Sequence, residues 1–265
     1  MNRHADKNKL ATYTIAKTYF LKLNISIKSF SYFQLFLIPT GRKSVLFFGY
    51  NFYMKFDLAR NSLKYLVKHF EIKELFIPYY LCDVIRHSLF EVNCKPVFYH
   101  IDDNFMPAID FPKESFILYP NYFGVCENNV DKLVKIYPNI IIDNAHSYYS
   151  KPKGLASFNA KHKFFEETGS TLWIGSGDFE IEPDEERIEQ FWKLHKRFKT
   201  KNLLKFENII CPFCYPLLVS TDKEADEIAD KFIKKGITIY RYWNNLPKSF
   251  NEYKFYRRLV PIPLK

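Results

Sequence analysis

The sequence lacks an apolar run that could cross a membrane, since no stretch reaches the roughly 18–20 residues that a spanning helix needs. Residues 1–28 are basic, but they contain neither a compact apolar segment nor a small-residue cleavage site, so we expect no secretory signal. Long blocks of Lys and Arg, internal repeats and low-complexity tracts are also missing. These absences argue against a membrane or nucleic-acid partner, and they favour a cytoplasmic protein.

Cysteine is scarce as well. The chain has 5 Cys residues at irregular spacing, and this odd number argues against a disulfide framework and for a reducing compartment. Cys211 and Cys214 form a CxxC pair that no second pair accompanies. A single pair is a weak signal for zinc, so we interpret both as core residues and expect no metal site.

The remaining composition is that of a basic, folded protein. At 265 residues, 47% of them hydrophobic and 18% aromatic, the chain is too apolar for a disordered protein and long enough for one large domain with a smaller one. The net charge of +10 favours anionic partners, among them a phosphorylated small molecule. A composition that is simply rich in Lys gives the same charge, so the excess does not identify a ligand by itself.

Short apolar segments alternate with amphipathic ones between residues 59 and 142. Strands are predicted at residues 74–78, 95–101, 115–120 and 140–142, and helices at 59–70, 83–90 and 130–137. This alternation is typical of a parallel, doubly wound sheet with right-handed crossovers. A further strand at residues 170–174 is expected to return along the sheet.

The pattern changes in the last part of the chain. Its predicted elements are a strand at 215–220, a helix that ends at Gly236 and a strand at 237–243. Thr221 and Glu224 have the spacing of a capping box, which predicts where that helix begins. We therefore divide the chain into a large α/β domain, residues 1–200, and a small α+β domain, residues 201–265.

Polar residues follow the predicted strands at the points where open α/β sheets bind ligands, just outside the carboxyl ends. Asp143 directly follows the apolar run 140–142, and Asn121 follows another strand. Arg60 and Asn61 stand in the first turn of a predicted helix, where free N–H groups and the helix dipole attract anions. An ordinary capped turn would have the same sequence, so the anion site is one of two interpretations.

Asp143 begins a cluster of groups that suit a pyridinium cofactor. A carboxylate beside the ring nitrogen keeps that nitrogen protonated, and the cation then acts as an electron sink. His146 could contact the ring, Ser157 could bind a phosphate, and Lys163 could form a Schiff base with an aldehyde. Taken alone, the same residues also fit a plain loop capped by an aspartate.

Six segments follow one another in an order that resembles the DegT/DnrJ/EryC1/StrS aminotransferase family. They are Phe56–Leu63, Ile77–Cys82, Pro96–Asp102, Asn121–Gly124, Ile142–His146 and Ala156–Lys163. The resemblance runs from about residue 56 to the end of the sequence. It implies an α/β fold of the pyridoxal-phosphate-dependent transferase type (aspartate aminotransferase type I), in which helices flank a parallel or mixed sheet and a small α+β domain follows.

The resemblance implies roles at the reactive end of the cofactor, pyridoxal 5′-phosphate (PLP). Asp143 would pair with the pyridine nitrogen, and His146 would lie near the ring. Asn121 would reach the ring hydroxyl. Lys163 would be the Schiff-base lysine and the proton shuttle.

The resemblance also implies roles at the phosphate and on the face of the ring. Ser157, Arg60 and Asn61 would hold the phosphate. The aromatic residue that normally stacks on the ring aligns with Cys82, and Tyr80 stands close to that position. We therefore include Tyr80 among the expected cofactor-binding residues.

The lysine departs from the family pattern by one position. The family usually places it where His162 stands here, and Lys163 comes next. Relatives that carry a histidine at that position dehydrate sugars. The resemblance implies an aminotransferase acting on a nucleotide-linked keto-sugar in surface polysaccharide biosynthesis, with glutamate as amino donor and a homodimer as the assembly. A sugar dehydratase that uses His162 and a structurally reduced, non-catalytic homologue remain alternatives.

Overall fold

A computed structural model describes residues 33–40, 43–50, 52–175 and 182–264. The chain divides into two compact units, residues 1–50 and 51–265. In the first unit, β1 (Phe33–Thr40) pairs antiparallel with β2 (Lys43–Tyr50). The prediction that residues 1–28 hold no signal concerns a stretch outside the described residues. The predicted boundary between residues 200 and 201 falls within the second unit and stays a prediction.

The second unit is built on a seven-stranded sheet. Its strands are β3 (Phe52–Phe56), β4 (Glu74–Pro78), β5 (Lys95–Tyr99), β6 (Ile117–Pro120), β7 (Ile140–Asn144), β8 (Ala156–Asn159) and β9 (Ser170–Ile174). Their order in the sheet is β3-β9-β8-β7-β6-β4-β5. Strands β4 to β8 pair in parallel, whereas β9 is antiparallel to β8 and β3. The predicted mixed sheet is thus confirmed, and so is the strand that returns along it.

Helices and a short second sheet complete this unit. The helices are α1 (Ala59–His69), α2 (Asp83–Phe90), α3 (Glu127–Ile136), α4 (Glu185–Phe198), α5 (Asp222–Ile233) and α6 (Tyr253–Arg258). Strand β10 (Cys214–Leu218) pairs antiparallel with β11 (Leu259–Pro263). None of the helices in the described part of the chain is long and apolar enough to cross a membrane.

The central strand β7 explains why this sequence forms a sheet covered on both faces. Successive side chains of a strand point to opposite faces. Ile140 and Ile142 pack into one buried cluster, and Ile141 packs into another with Leu63 and Leu66 of α1. An uninterrupted apolar run is therefore needed to bury both faces, as is usual for parallel strands.

The C-terminal part agrees with the sequence patterns except in one segment. The Thr221 hydroxyl accepts a hydrogen bond from the Glu224 N–H at 3.1 Å, so the predicted cap of α5 is confirmed. The predicted strand at residues 237–243 is wrong, because this segment has no regular secondary structure. Trp243 has a φ of 53°, which a strand does not tolerate, and its ring packs against the aromatic core. β11 pairs with β10 instead.

The cysteines that we interpreted as core residues are buried. Cys211 and Cys214 both carry free thiols and lie in the interior. Among the described residues, no group of three or more His, Cys, Asp or Glu side chains could hold a metal ion.

Candidate active site

A cavity of about 260 Å³ lies at the carboxyl ends of the parallel strands. Its walls come from the start of α1, the start of α2, the ends of β6 and β7, the segment after β8 and Trp243. The predicted site residues that line it are Arg60, Asn121, Asp143, His146, His162 and Lys163. Asn61, Tyr80 and Ser157 do not line it. The sheet therefore brings together six of the nine candidates, which lie far apart in the sequence.

Asp143 is a buried carboxylate in the wall of this cavity. It belongs to β7, is 8% exposed, and accepts a hydrogen bond from the Ala145 N–H at 2.8 Å. Burial raises the pKa of Asp143 to about 6, although the Ala145 N–H and the charge of Lys163 act in the opposite direction. A cation placed against this carboxylate would lower its pKa again, so the site suits a positively charged group.

His146 is packed among aromatic rings. Its ring is nearly parallel to that of Phe213, with centroids 4.5 Å apart, and to that of Trp243, with centroids 5.7 Å apart. Burial holds the pKa of His146 well below its usual value, and the charges of Lys163 and His162 add to this effect. The imidazole is therefore neutral near pH 7 and can contact a ligand without adding a charge.

Lys163 and His162 both reach the cavity from a short 3-10 turn after β8. The Lys163 Nζ lies 5.7 Å from the ring centroids of Phe213 and Tyr242. Partial burial lowers the pKa of His162, and the charge of Lys163 lowers it further. Lys161, in the same turn, forms an ion pair with Glu167 instead. Which of the two cavity residues acts on the cofactor stays a prediction.

The first turn of α1 forms one wall of the cavity. Ala59 and Arg60 line it, no acidic residue stands in this turn, and the N-cap residue Leu58 forms no side-chain cap. The first N–H groups of a helix have no acceptor within the helix, so an anion can bind them. Asn61 lies in the same turn, but its side chain donates to Asp57 at 2.6 Å and does not line the cavity.

Ser157 and Tyr80 lie beside the cavity and not in it. Both are fully buried, and neither hydroxyl has a hydrogen-bond partner within the described part of the chain. Ser157 belongs to β8, whereas Tyr80 packs edge-on against Trp243 with centroids 4.5 Å apart. Their predicted contacts with the phosphate and the ring face stay predictions, which this placement does not favour.

Asn121 lines the cavity but directs its polar atoms into a buried network. Its amide donates to Glu127 at 2.9 Å and to Asn144 at 3.4 Å, while its carbonyl accepts from the Cys126 N–H at 3.0 Å. Glu127, at the start of α3, also accepts from Ser150 at 3.0 Å. The contact of Asn121 with a ring hydroxyl stays a prediction, and the network shows that this residue also fixes the strand ends.

Sequence reasoning missed two residues of this region, Glu127 and Trp243. An acid in the first turn of a helix is ordinary, and only its position three residues after Gly124, shortly after a strand that Asn121 follows, could have suggested a role for Glu127. Trp243 was assigned to a strand, so its approach to the cavity was not foreseen.

These features define a class of protein by its fold. The chain has the fold of the PLP-dependent transferases: a mostly parallel, helix-flanked sheet with a carboxylate at the end of one strand and a lysine beyond the next. Within that class, the solved structures that it resembles include sugar aminotransferases and an aminotransferase of the DegT/DnrJ/EryC1/StrS type. No protein-family model matches the sequence, and no curated protein matches it.

Three solved structures illustrate the similarity. Spr1654 of Streptococcus pneumoniae, assigned as a sugar aminotransferase and solved in its PLP form, has 15% identity and a TM-score of 0.61, over 80% of this chain and 81% of that one. A DegT DnrJ EryC1 StrS aminotransferase of Brucella abortus has 11% identity and a TM-score of 0.62, over 80% of each chain. PseC of Helicobacter pylori, an aminotransferase of pseudoaminic acid biosynthesis, has 18% identity and a TM-score of 0.60, over 80% and 81%. Identities this low show a shared fold.

Proposed function

We propose that this protein is a PLP-dependent aminotransferase that acts on a sugar. The observation that carries the proposal is the placement of Asp143 and Lys163 on one cavity, which the first turn of α1 also lines. The structural similarity to sugar aminotransferases, one of them solved in its PLP form, supports the same activity.

The residues of the cavity fit PLP. The cofactor carries a basic ring nitrogen, a phosphate and an aldehyde, and the cavity offers a complementary group for each. The buried Asp143 carboxylate, with its raised pKa, favours a cationic partner such as a protonated pyridine. The first turn of α1, with Arg60, suits the phosphate. The amine of Lys163 suits the aldehyde.

Each side chain then has a defined task. When bound, PLP would supply an electron sink for charge that develops at the substrate carbon. The Asp143 carboxylate would keep a proton on the ring nitrogen, and the helix N-terminus with Arg60 would fix the phosphate. Lys163 Nζ would take the proton from the α-carbon of the amino donor and, in the second half of the reaction, would deliver a proton to the sugar carbon that receives the amine, by general acid–base catalysis. The rings of Phe213 and Tyr242 near that Nζ would limit the access of water.

We further propose a nucleotide-linked keto-sugar as substrate and glutamate as amino donor, in surface polysaccharide biosynthesis in the cytoplasm. The net charge of +10 suits a diphosphate-linked substrate. The similarity to PseC, whose name refers to pseudoaminic acid biosynthesis, supports a role in sugar modification. A homodimer is proposed because the active sites of PLP-dependent enzymes with this fold are usually completed across a subunit interface.

Trapping of the cofactor tests the proposal. Protein incubated with PLP and then reduced with borohydride should carry the cofactor covalently on the peptide that contains Lys163, as seen by mass spectrometry. Lys163→Ala should lose this adduct. Lys161→Ala is the matched control, because Lys161 stands two positions before Lys163 but is paired with Glu167, and this variant should keep the adduct. An adduct that persists in Lys163→Ala rules out Lys163 as the reactive amine.

A sugar dehydratase that uses His162 is the second candidate, because His162 lines the same cavity. In that case PLP would bind without a lysine that borohydride can trap, and His162→Ala would remove turnover of a keto-sugar while Lys163→Ala would not. Protein that binds no PLP at all would instead be the reduced, non-catalytic homologue.

A further inference from the structure

Trp243 contributes an aromatic wall to the cavity from an unexpected part of the chain. It lies in an irregular segment between α5 and α6, remote in sequence from the strand ends that carry Asp143 and Lys163. Among the described residues that line the cavity, it is the only Phe, Tyr or Trp. Cys82 stands at the start of α2, on the wall where the sequence resemblance predicted an aromatic residue.

The backbone of Trp243 is held in a costly conformation. Its φ of 53° lies in the left-handed region, which bulky side chains rarely adopt. Arg241 anchors one side of it through hydrogen bonds to the Arg257 carbonyl and, at 2.7 Å, to Asp226. Asn245 anchors the other side by donating to the Asp83 carboxylate in the first turn of α2. Strain that is fixed from both sides is a reason to look for a function.

The indole of Trp243 also packs against two other rings, those of His146 and Tyr80. Its ring is parallel to that of His146 within 8°, and both residues line the cavity. Tyr80, which is fully buried, packs edge-on against the indole. Since packed interiors yield little, this support fixes the plane of the indole ring.

We propose that Trp243 is the stacking partner of the cofactor's pyridine ring and that it selects ligands with a flat aromatic ring. This inference rests on the proposed function. Asp143 would hold the ring nitrogen, the start of α1 would hold the phosphate, and the indole would fix the plane of the ring between them. Offset stacking of two aromatic rings is favourable beyond the area that it buries.

The test measures binding of pyridoxine 5′-phosphate, which has the ring and the phosphate of PLP but no aldehyde, so that a bond to lysine does not mask the stacking. Equilibrium dialysis would compare the wild-type protein with Trp243→Phe, Trp243→Leu and Trp243→Ala. Trp243→Phe should bind within about twofold of wild type. Trp243→Leu and Trp243→Ala should bind roughly tenfold more weakly, which corresponds to about 1.4 kcal/mol.

Matched controls separate stacking from general damage. Trp192→Ala removes a tryptophan that is 39% exposed on α4 and does not line the cavity, and it should bind as wild type. Far-UV circular dichroism checks that each variant folds. Asn245→Ala keeps the indole but releases one anchor, and it should weaken binding severalfold.

The outcomes distinguish this inference from the proposed function. Wild-type affinity in both Trp243→Leu and Trp243→Ala overturns the stacking role and leaves the proposed aminotransferase intact. Equal losses of affinity in Trp243→Phe and Trp243→Leu also overturn the stacking role. They would show that binding depends on the shape of the indole and not on the presence of an aromatic face. If the wild-type protein binds neither pyridoxine 5′-phosphate nor PLP, the proposed function fails and this inference fails with it.

Discussion

At the scale of single residues, Asp143 has the clearest consequence, because its pKa links the site to stability. Burial raises that pKa from 3.8 to about 6. The folded chain therefore binds a proton more tightly than the unfolded chain, and the carboxylate destabilises the cofactor-free fold increasingly as the pH rises from about 4 to beyond 6. A group kept at such a cost is typical of functional sites.

Asp143→Asn should accordingly stabilise the cofactor-free protein at pH 8, by an amount on the order of 2–3 kcal/mol, because one pKa unit corresponds to about 1.4 kcal/mol. The gain should shrink towards pH 4, where Asp143 is protonated in both states. Urea denaturation at the two pH values measures this. The same variant should lose PLP binding. A gain that does not change with pH would contradict the assigned titration.

Gly124 is the second residue with a sharp consequence, because it allows two backbone segments to meet at the site. Its φ is 69°, and an added Cβ would lie 2.5 Å from the His146 carbonyl oxygen and still closer to the Cys211 carbonyl oxygen. Gly124→Ala should therefore destabilise the fold by roughly 3 kcal/mol or more, since overpacking adds to left-handed strain. It should also displace His146 and weaken PLP binding.

Gly236→Ala is the control for that prediction. Gly236 has a φ of 78°, but nothing lies within 4 Å of its added Cβ. This variant should cost only about 1–2 kcal/mol from left-handed strain, and it should bind PLP normally. Similar losses of stability in both variants, measured by urea denaturation, would show that close contact at Gly124 is unimportant.

At the scale of elements, the start of α1 is expected to bind phosphate, and Arg60 should strengthen it. Arg60→Ala should weaken binding of pyridoxine 5′-phosphate roughly tenfold, within the range of a lost charge-assisted hydrogen bond. Binding of pyridoxine, which lacks the phosphate, should not change. Lys64→Ala is the control on the same helix, since Lys64 pairs with Glu91 and does not line the cavity. Equal weakening in the two variants would indicate a general charge effect.

The start of α3 fastens the strand ends that carry the site. Glu127 is 5% exposed and accepts hydrogen bonds from Asn121, Ser150 and Lys153. Glu127→Ala would remove a buried acceptor from three donors at once and should cost roughly 2–4 kcal/mol, although Asn121 keeps its contact with Asn144 and Lys153 keeps its contact with Asp131. Asp131 is the other partner of Lys153, and its side chain is half-exposed. Asp131→Ala should therefore cost less than about 1 kcal/mol. Denaturation of both variants measures the difference, and equal costs would refute the role given to Glu127.

Elements also show how far the sequence could predict this molecule. The bounds of strand β4 and helix α2 were predicted to the residue. Pro78 marks the end of β4, and the spacing of apolar residues marks α2. The segment 237–243 was not, since its alternating aromatic residues would suit a strand equally well. What decides its structure is long-range: Trp243 finds partners in the aromatic core, and β10 finds its partner in β11.

The same distinction applies to the site. The position of Asp143 in the cavity wall could be predicted, because a polar residue at the end of a buried strand is visible in the sequence. Arg60 could be predicted because a helix start is visible too. Glu127 and Trp243 could not, because their importance depends on which buried groups they meet. Asn61 illustrates the reverse case. It lies at the helix start, as the sequence predicts, but its side chain donates to Asp57 and does not line the cavity.

At the scale of the whole molecule, the assembly is a measurable expectation. We expect a homodimer, with a mass of about twice 31.7 kDa by light scattering. PLP should bind the dimer more tightly than the monomer obtained on dilution, because the site is expected to be completed across the interface. A monomer at all concentrations that still binds PLP and transaminates would contradict this expectation.

The order of strands in the sheet has a kinetic consequence. Among the described strands of its unit, β3 comes first in the sequence, yet its one partner there is β9, so that Phe52 lies opposite Ile174. Such remote pairing must overcome the entropy of closing a long loop before it gains any contact, and it slows folding. During synthesis, β3 must wait for the ribosome to release residues 170–174, which takes several seconds or more at about 5–20 residues per second. Until then this early strand exposes an unpaired edge, which chaperones can bind.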